Sequence, residues 1–277
     1  MRYLLLALPL LFGTDRASER DALLAADRAL SSRTTSLGMI HGFLPGMTEG
    51  AAYLHPGAPL LRGTSSIRAF LETADTGDRV AWSPVFADIS ADGRLGYSYG
   101  FTHGGGKRGK YLACWLKERE GWRLVAYARS RPVPVTDSVA DPAPRAVTSK
   151  EPVRGRADPA ELIAADSVFA ALSVSQGAKP AFLAYAADDA ISFGGGPRMN
   201  EGREAIGAAF DGFPNGAVLA WRPVGAAIAE SGDLGCTVGG ASIGGLKQYS
   251  KYLTVWEGQR DSGWKFVADG GNARPAP

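Results

Sequence analysis

The stretch KYLTVWEGQRDSGWKFVAD, residues 251–269, reads as two strands joined by a tight turn, and a similar stretch, KYLACWLKEREGWRLVAY, occurs at residues 110–127. In both stretches apolar and polar residues alternate on either side of a charged turn, EREG or RDSG. This pattern is typical of an antiparallel β-hairpin. The repetition predicts that one structural unit occurs twice in the chain.

A nearly constant spacing between matching residues extends this repeat over most of the chain. Matching pairs, in chain order, are Asp27 and Asp166, Trp82 and Trp221, Tyr111 and Tyr252, and Trp122 and Trp264. The spacing is 139 residues for the first two pairs, 141 for the third and 142 for the fourth. Because the spacing changes only near turns, where insertions cost least, we predict two modules at 18–130 and 158–272. The Pro-, Ser- and charge-rich residues 131–157 are predicted to be an extended linker, and 273–277 a tail.

Within each module, helical patterns come first and strand patterns follow. The second module opens with Asp158 as a helix cap and Pro159 in the first turn, and a second helix is expected around Phe43 and its counterpart Phe182. A third helix is expected at Thr64–Leu71 in the first module and at Arg203–Phe210 in the second. Hairpin turns are expected at Asp92-Gly93 and at Ser231-Gly232. Helices followed by antiparallel strands indicate an α+β fold, here a bent sheet packed on about three helices.

With GREAIGAAF, SGDLGCTVG and KYLTVWEGQRDSGWKFVAD in this order, the second module resembles the SnoaL-like branch of the nuclear-transport-factor-2-like superfamily, which includes ketosteroid isomerases. The resemblance covers nearly all of the second module and most of the first, and it implies two tandem cone-shaped modules. It also implies that a carboxylate in the cone can act as a base. The first module departs from the pattern at its end, where Ala126-Tyr127 stands in place of an acid such as Asp269. This fold supports both enzymes and binding domains, so the resemblance does not decide the function.

Composition limits the classes of partner. The formal net charge is +2 and no polybasic run occurs, which gives no reason to expect nucleic acid as a partner. Residues 1–17 begin with Met1 and Arg2, followed by the apolar run YLLLALPLLF. They are predicted to be a signal peptide of an exported protein, leaving no membrane span in the mature chain. Cys114 and Cys236 lie in apolar, strand-like runs and are predicted to be small buried residues rather than a disulfide. No metal or other cofactor is expected.

Acids provide most of the candidates for chemistry. Asp27 and Asp166 lie on apolar helix faces, where a buried carboxyl must be hydrogen-bonded. We interpret both as structural, with a general base as the alternative. Asp269 ends the last strand, and strict alternation places it on the same face as Lys265 and Val267. His103 is a weaker candidate, as one half of a histidine–acid pair. The glycine runs at 104–106 and 194–196 are predicted to be turns, because the Lys after the first run is not followed by Ser or Thr.

Aromatic residues provide the candidate ligand contacts. Three tryptophans of the first module recur in the second, and all six are predicted mainly to pack in the core. Tyr97 and Tyr99 face one side of a strand and have no aromatic counterpart in the second module, which predicts a pocket specific to the first. The candidate ligand contacts are therefore Tyr97, Tyr99, Trp115, Tyr252 and Trp256.

Three functions remain open at this point. The first is binding of a small apolar ligand in one or both cones, and the second is an isomerase, dehydratase or cyclase that uses a pocket carboxylate as base. The third is a structural or assembly domain with filled cones. In each case the two modules are expected to pair through their sheets as an intramolecular pseudo-dimer, or two chains to pair as a homodimer.

Overall fold

A computed structural model describes residues 16–74, 80–135, 158–244, 246–259 and 263–277. Within these ranges no helix combines the length and the apolar character needed to cross a bilayer. Most of the predicted signal peptide and residues 136–157 of the predicted linker lie outside the described residues. The chain contains two α+β modules, each with its own mixed sheet and its own helices, which confirms the predicted fold class.

The first module contains two long helices, a short π-helical and 3₁₀ segment and seven strands. The elements are α1 (Arg16–Gly38), the π-helical turn Met39–Phe43, the 3₁₀ turn Leu44–Gly46, β1 (Met47–Leu54), β2 (Leu61–Arg62), α2 (Thr64–Ala74), β3 (Ala81–Ile89), β4 (Leu95–Gly104), β5 (Lys107–Glu118), β6 (Gly121–Arg129) and β7 (Val133–Pro134). Strand order is β2-β1-β6-β5-β4-β3, and β7, from the segment predicted to be a linker, pairs with β5.

The second module repeats this plan with a regular second helix. Its elements are α3 (Pro159–Gln176), α4 (Ala178–Tyr185), β8 (Ala186–Ser192), β9 (Asn200–Glu201), α5 (Arg203–Ala208), β10 (Val218–Ile228), β11 (Leu234–Gly244), β12 (Gln248–Gln259) and β13 (Gly263–Ala273). Strand order is β10-β11-β12-β13-β8-β9, which matches that of the first sheet. The Asp158 carboxylate accepts a hydrogen bond from the Ala160 amide at 2.8 Å, as the capping pattern predicts.

Turns and bulges follow the repeat as well. Gly93 and Gly232 adopt φ values of 69° and 70° in the predicted hairpin turns, a region that favours glycine. In both modules the last hairpin contains one extra residue on its second strand, Val125 or Val267, where the pairing register shifts. Such a bulge reverses the in–out alternation of the residues that follow it.

Each sheet has two apolar faces. One face packs on the helices of its own module, and the other face contributes to a cluster of buried residues drawn from both modules. We call this cluster the shared core; it includes Phe86, Tyr97, Tyr99, Cys114, Cys236 and Leu253. The concave space between the helices and the sheet of a module is called its cone.

A disulfide bond joins Cys114 of β5 to Cys236 of β11 across the shared core, which makes the prediction of two unpaired buried cysteines wrong. The prediction failed because the two residues are 122 positions apart and meet only when the two sheets face each other. The hairpin turns also meet: the Ala91 amide donates to Asp233 at 2.9 Å, and the Ser231 amide donates to Asp92 at 3.0 Å.

Candidate ligand-binding site

Asp27 lies on α1 at the base of the first cone and is fully buried. Its carboxylate accepts hydrogen bonds from the Trp82 indole N–H at 2.6 Å and from the Tyr111 hydroxyl at 2.7 Å. Burial raises the pKa of Asp27, while the bonds from Tyr111 and Trp82 act in the opposite direction. Both carboxylate oxygens therefore bind framework residues of the first module.

Asp166 on α3 repeats this arrangement in the second module. Its carboxylate accepts from the Trp221 indole N–H at 2.8 Å and from the Tyr252 hydroxyl at 2.8 Å. Burial also raises the pKa of Asp166. Because the same three residue types make the same two bonds in both modules, this network explains the recurrence of the acid without a catalytic role.

Aromatic rings fill the centre of the first cone. Tyr127 of β6 lies with its ring centroid 5.1 Å from that of Phe43, 5.6 Å from that of Trp82 and 5.6 Å from that of Tyr111. Tyr53 of β1 pairs with Tyr127 in the sheet and adds a further ring at 6.2 Å. All five side chains are buried. The first cone is therefore a packed aromatic core.

The second cone keeps the outer part of this aromatic set and lacks its centre. Phe182 and Trp221 stand where Phe43 and Trp82 do, with ring centroids 5.9 Å apart. The paired positions of Tyr53 and Tyr127, however, are occupied by Ser192 and Asp269, which pair in register between β8 and β13. Two large rings are thus replaced by a hydroxyl and a carboxyl.

A cavity of about 770 Å³ opens in the second cone. Its wall combines aromatic and aliphatic side chains with a comparable number of polar and charged ones. The lining residues include Phe169, Phe182, Gly194, Leu219, Trp221, Ile243, Lys247, Lys251, Tyr252, Thr254, Asp269, Asn272 and Arg274. The volume of this cavity lies within the range of about 300–1,000 Å³ that is common for small-molecule sites.

Asp269 is the carboxylate of this cavity. It accepts a hydrogen bond from the Thr254 hydroxyl at 2.6 Å. Burial raises the pKa of Asp269 to about 6; the Thr254 bond opposes this shift, and the nearby Asp166 carboxylate adds to it. The expectation that Asp269 shares a face with Lys265 and Val267 is wrong, because the bulge at Val267 turns Asp269 to the face of Phe266 inside the cone.

Other predicted ligand contacts lie away from the cavity. Tyr97 and Tyr99 belong to the shared core, each with 1% of its surface exposed, so they line no pocket specific to the first module. Trp115 and Trp256 are also buried, and their indole N–H groups donate to Ser98 and Thr237.

Of the predicted ligand contacts only Tyr252 lines the cavity. His103 is exposed at the end of β4 and contributes nothing to the cavity wall. The described residues contain no group of three or more His, Cys, Asp or Glu side chains suited to hold a metal ion.

Sequence reasoning missed Lys251, Thr254, Asn272 and Arg274 as lining residues. For Thr254, Asn272 and Arg274 the available signal was a difference between the modules, as it is for Tyr127 against Asp269. Lys251 recurs as Lys110, so the sequence comparison gives no signal for it.

The comparisons with known proteins concern fold. No family model and no curated protein matches the chain. Solved structures of single modules are similar to it. An NTF2-like protein with a cystatin-like fold from Novosphingobium aromaticivorans is 17% identical over 41% of this chain and 80% of its own, with a TM-score of 0.34. A ketosteroid isomerase-like protein from Erwinia carotovora atroseptica is 12% identical over 40% of this chain and 92% of its own, with a TM-score of 0.33.

Stability should depend on pH through Asp269, and Asp269→Asn should reveal it. Because the pKa rises from 3.8 to about 6 on folding, the native state holds the proton more tightly, and stability falls as pH rises between these values. Asn keeps an acceptor for Thr254 and cannot ionise. We expect equal unfolding free energies at pH 4 and a variant more stable by about 1–2 kcal/mol at pH 7, allowing for partial exposure. Urea unfolding at both pH values measures this; a variant less stable by the same amount at both would contradict it.

Proposed function

We propose that this protein binds a small, mostly apolar organic molecule in the cone of the second module, and that the first module is its structural counterpart. One observation carries the proposal: the two cones share a framework, yet rings fill the first and a cavity of about 770 Å³ opens in the second. A filled cone leaves no apolar surface without a packing partner. An open cone lacks those packing contacts and is less stable for it. The open cone is therefore the place where a ligand adds the missing contacts.

The cavity wall indicates the kind of ligand. Phe169, Phe182 and Trp221 form an aromatic surface, with Phe169 and Trp221 ring centroids 4.5 Å apart. Leu219 and Ile243 extend it with aliphatic carbon. Such a wall favours a ligand with an aromatic or alicyclic body, which gains both apolar burial and ring contacts.

Enzymatic proton abstraction is the second candidate function. Asp269 favours it, because a carboxyl with a pKa of about 6 inside an apolar cavity suits general-base chemistry near neutral pH. An isomerase or dehydratase also needs a donor aimed at the developing oxyanion. The hydroxyls of Tyr252 and Thr254 already donate to Asp166 and to Asp269 itself. The cations Lys251 and Arg274 on the cavity wall form no hydrogen bond with Asp269 among the described residues, so the structure does not bring a base and an oxyanion donor together at one point. Binding is therefore the better-supported function.

The arrangement of the modules supports an intramolecular pseudo-dimer rather than a homodimer. The shared core covers the sheet face of each module that is not occupied by its own helices. Sedimentation equilibrium should give the mass of one chain. A dimer mass at micromolar concentration would favour the homodimer.

Export is supported by the disulfide, because such bonds persist in oxidising compartments. Fractionation of the producing cell, with N-terminal sequencing of the mature chain, tests this proposal. A cytoplasmic protein that retains residues 1–15 would contradict it.

Replacement of Asp269 by Tyr tests the ligand site directly. The Asp269→Tyr variant places in the second cone the side chain that Tyr127 supplies in the first, so the variant has a folded precedent in the same chain. With the neutral probe 2-naphthaleneethanol we expect the wild-type indole N–H resonance of Trp221 to shift and that of Trp82 to stay unchanged. The variant should bind at least tenfold more weakly.

Asp269→Asn is the matched control, because it removes the charge and leaves the volume. We expect it to retain the probe. Equal binding by wild type and Asp269→Tyr, or equal shifts of Trp82 and Trp221, would reject a ligand site in the second cone.

A further inference from the structure

Two lysines occupy equivalent positions in the repeat and have different surroundings. Lys110 of β5 is buried, and its ammonium lies among backbone carbonyls of the second module. The carbonyl acceptors are those of Phe193, Gly194, Gly195, Gly196 and Arg198. The Lys110 ammonium therefore has carbonyl acceptors for all of its N–H donors, and these hydrogen bonds hold the segment 193–198.

Lys251 of β12 is the counterpart of Lys110 and is equally buried. Its ammonium donates to the Asn272 side-chain oxygen at 2.5 Å and to the Ala273 carbonyl at 3.1 Å. Within the described part of the chain these are its two acceptors, whereas an ammonium has three N–H donors. One N–H donor of this buried cation therefore has no acceptor among the described residues.

The repeat explains why Lys251 lacks the acceptors that Lys110 has. By the spacing of 139, the first-module segment equivalent to 193–198 is 54–59. This segment binds the chain beside Lys251 instead: the Leu54 carbonyl accepts from the Asn272 side chain at 2.7 Å, and the Gly57 amide donates to the Ala273 carbonyl at 3.0 Å. Lys251 is thereby left on the wall of the cavity.

Arg274 places a second cation beside Lys251. Its Nε donates to the Ser250 carbonyl at 3.2 Å, its Nη1 donates to the Pro275 carbonyl at 3.3 Å, and its guanidinium lies 5.2 Å from the ring centroid of Tyr249. Burial, and then the charge of Arg274, lower the pKa of Lys251 to about 8. Among the described residues neither cation forms an ion pair with a carboxylate. Two adjacent cations on a cavity wall are stabilised when an anion binds between them.

We propose that the ligand of the second cone is a small amphipathic organic anion, whose acidic headgroup binds Lys251 and Arg274 while its apolar body packs on the aromatic wall. This inference rests on the proposed function. Arg274 gives the Nη2 donors that have no acceptor among the described residues, and Lys251, which is fully buried in the cavity wall, contributes its positive charge. The exposed Lys247 on the cavity rim adds attraction for an approaching anion.

A matched pair of probes tests the headgroup. 2-Naphthaleneacetate and 2-naphthaleneethanol share one apolar body and differ in charge. We expect wild-type protein at pH 7 to bind the acid about tenfold more tightly than the alcohol by calorimetry. Lys251→Met and Arg274→Gln should each remove most of this preference, chiefly by weakening binding of the acid, since a preference of about tenfold is no larger than the contribution of one charge-assisted hydrogen bond.

Arg203→Gln is the matched charge control. It removes one positive charge from the same module at a residue that pairs with Asp188 at 2.8 Å and does not line the cavity. Should Lys251→Met fail to fold, Arg274→Gln at the chain end carries the test. Equal binding of acid and alcohol by wild type, or a preference kept in both variants, overturns the anion proposal and leaves cavity binding intact. Failure of both probes to bind overturns the anion proposal together with the proposed function.

Discussion

The double variant Cys114→Ala/Cys236→Ala should lose about 4 kcal/mol of unfolding free energy relative to the oxidised protein. The bond joins residues 122 positions apart, and a cross-link that closes a loop of this length removes much of the entropy of the unfolded chain. Alanine avoids a polar group in the shared core, so the loss reports the cross-link and a small packing defect. Urea unfolding of both proteins under oxidising conditions measures it.

The reduced wild-type protein is the control for this variant. With a reducing agent present, its stability should fall to within about 1 kcal/mol of the variant, because both then lack the cross-link. Equal stabilities of the oxidised protein and the variant would contradict the prediction. So would two thiols that react with a thiol reagent in the native protein isolated from an oxidising compartment.

The disulfide acts together with other contacts between the modules. Asp92 and Asp233 accept backbone hydrogen bonds across the two hairpin turns, and Asn272 donates to carbonyls of the first module at Leu54 and Arg129. Apolar burial in the shared core accompanies these bonds. Because one module cannot open its sheet face without exposing the other, we expect the two to unfold as a single cooperative unit.

The fold could be predicted from sequence because its signals are local and occur twice. The cap at Asp158 and the turns at Gly93 and Gly232 depend only on neighbouring residues. The constant spacing then joined these local signals into two modules. The Cys114–Cys236 bond could not be predicted in this way, since it depends on how one module lies against the other.

The site could be predicted only in part. Asp269 was identified as an acid at the end of the last strand, but strict alternation assigned it to the wrong face, because one extra residue at Val267 reverses the pattern. The alternation pattern shows that Tyr97 and Tyr99 share one strand face, but it does not show what packs against that face. The prediction assigned the face to a pocket, whereas it packs on the sheet of the second module in the shared core. A strand face that packs on another sheet has the same apolar pattern as one that lines a cavity.

Lys110→Met should lower the unfolding free energy by about 2–3 kcal/mol and loosen the segment 193–198. Burial lowers the pKa of Lys110 to about 8, so the ammonium is charged at pH 7 and attracts the surrounding carbonyl oxygens. Met has a similar length and cannot donate, which leaves several partly buried acceptors to water. Urea unfolding gives the energy, and hydrogen exchange of the segment amides gives the local effect.

Lys251→Met is the matched comparison, because it removes the equivalent lysine with only two acceptors. We expect it to cost about 1 kcal/mol or less, because only two acceptors lose a donor and one of them, the Ala273 carbonyl, still accepts from the Gly57 amide. Since Gly194 also lines the cavity, the Lys110 variant should weaken binding of 2-naphthaleneethanol as well, through disorder of the wall. Equal stability losses in the two lysine variants, with unchanged exchange in 193–198, would show that the carbonyls do not hold the Lys110 charge.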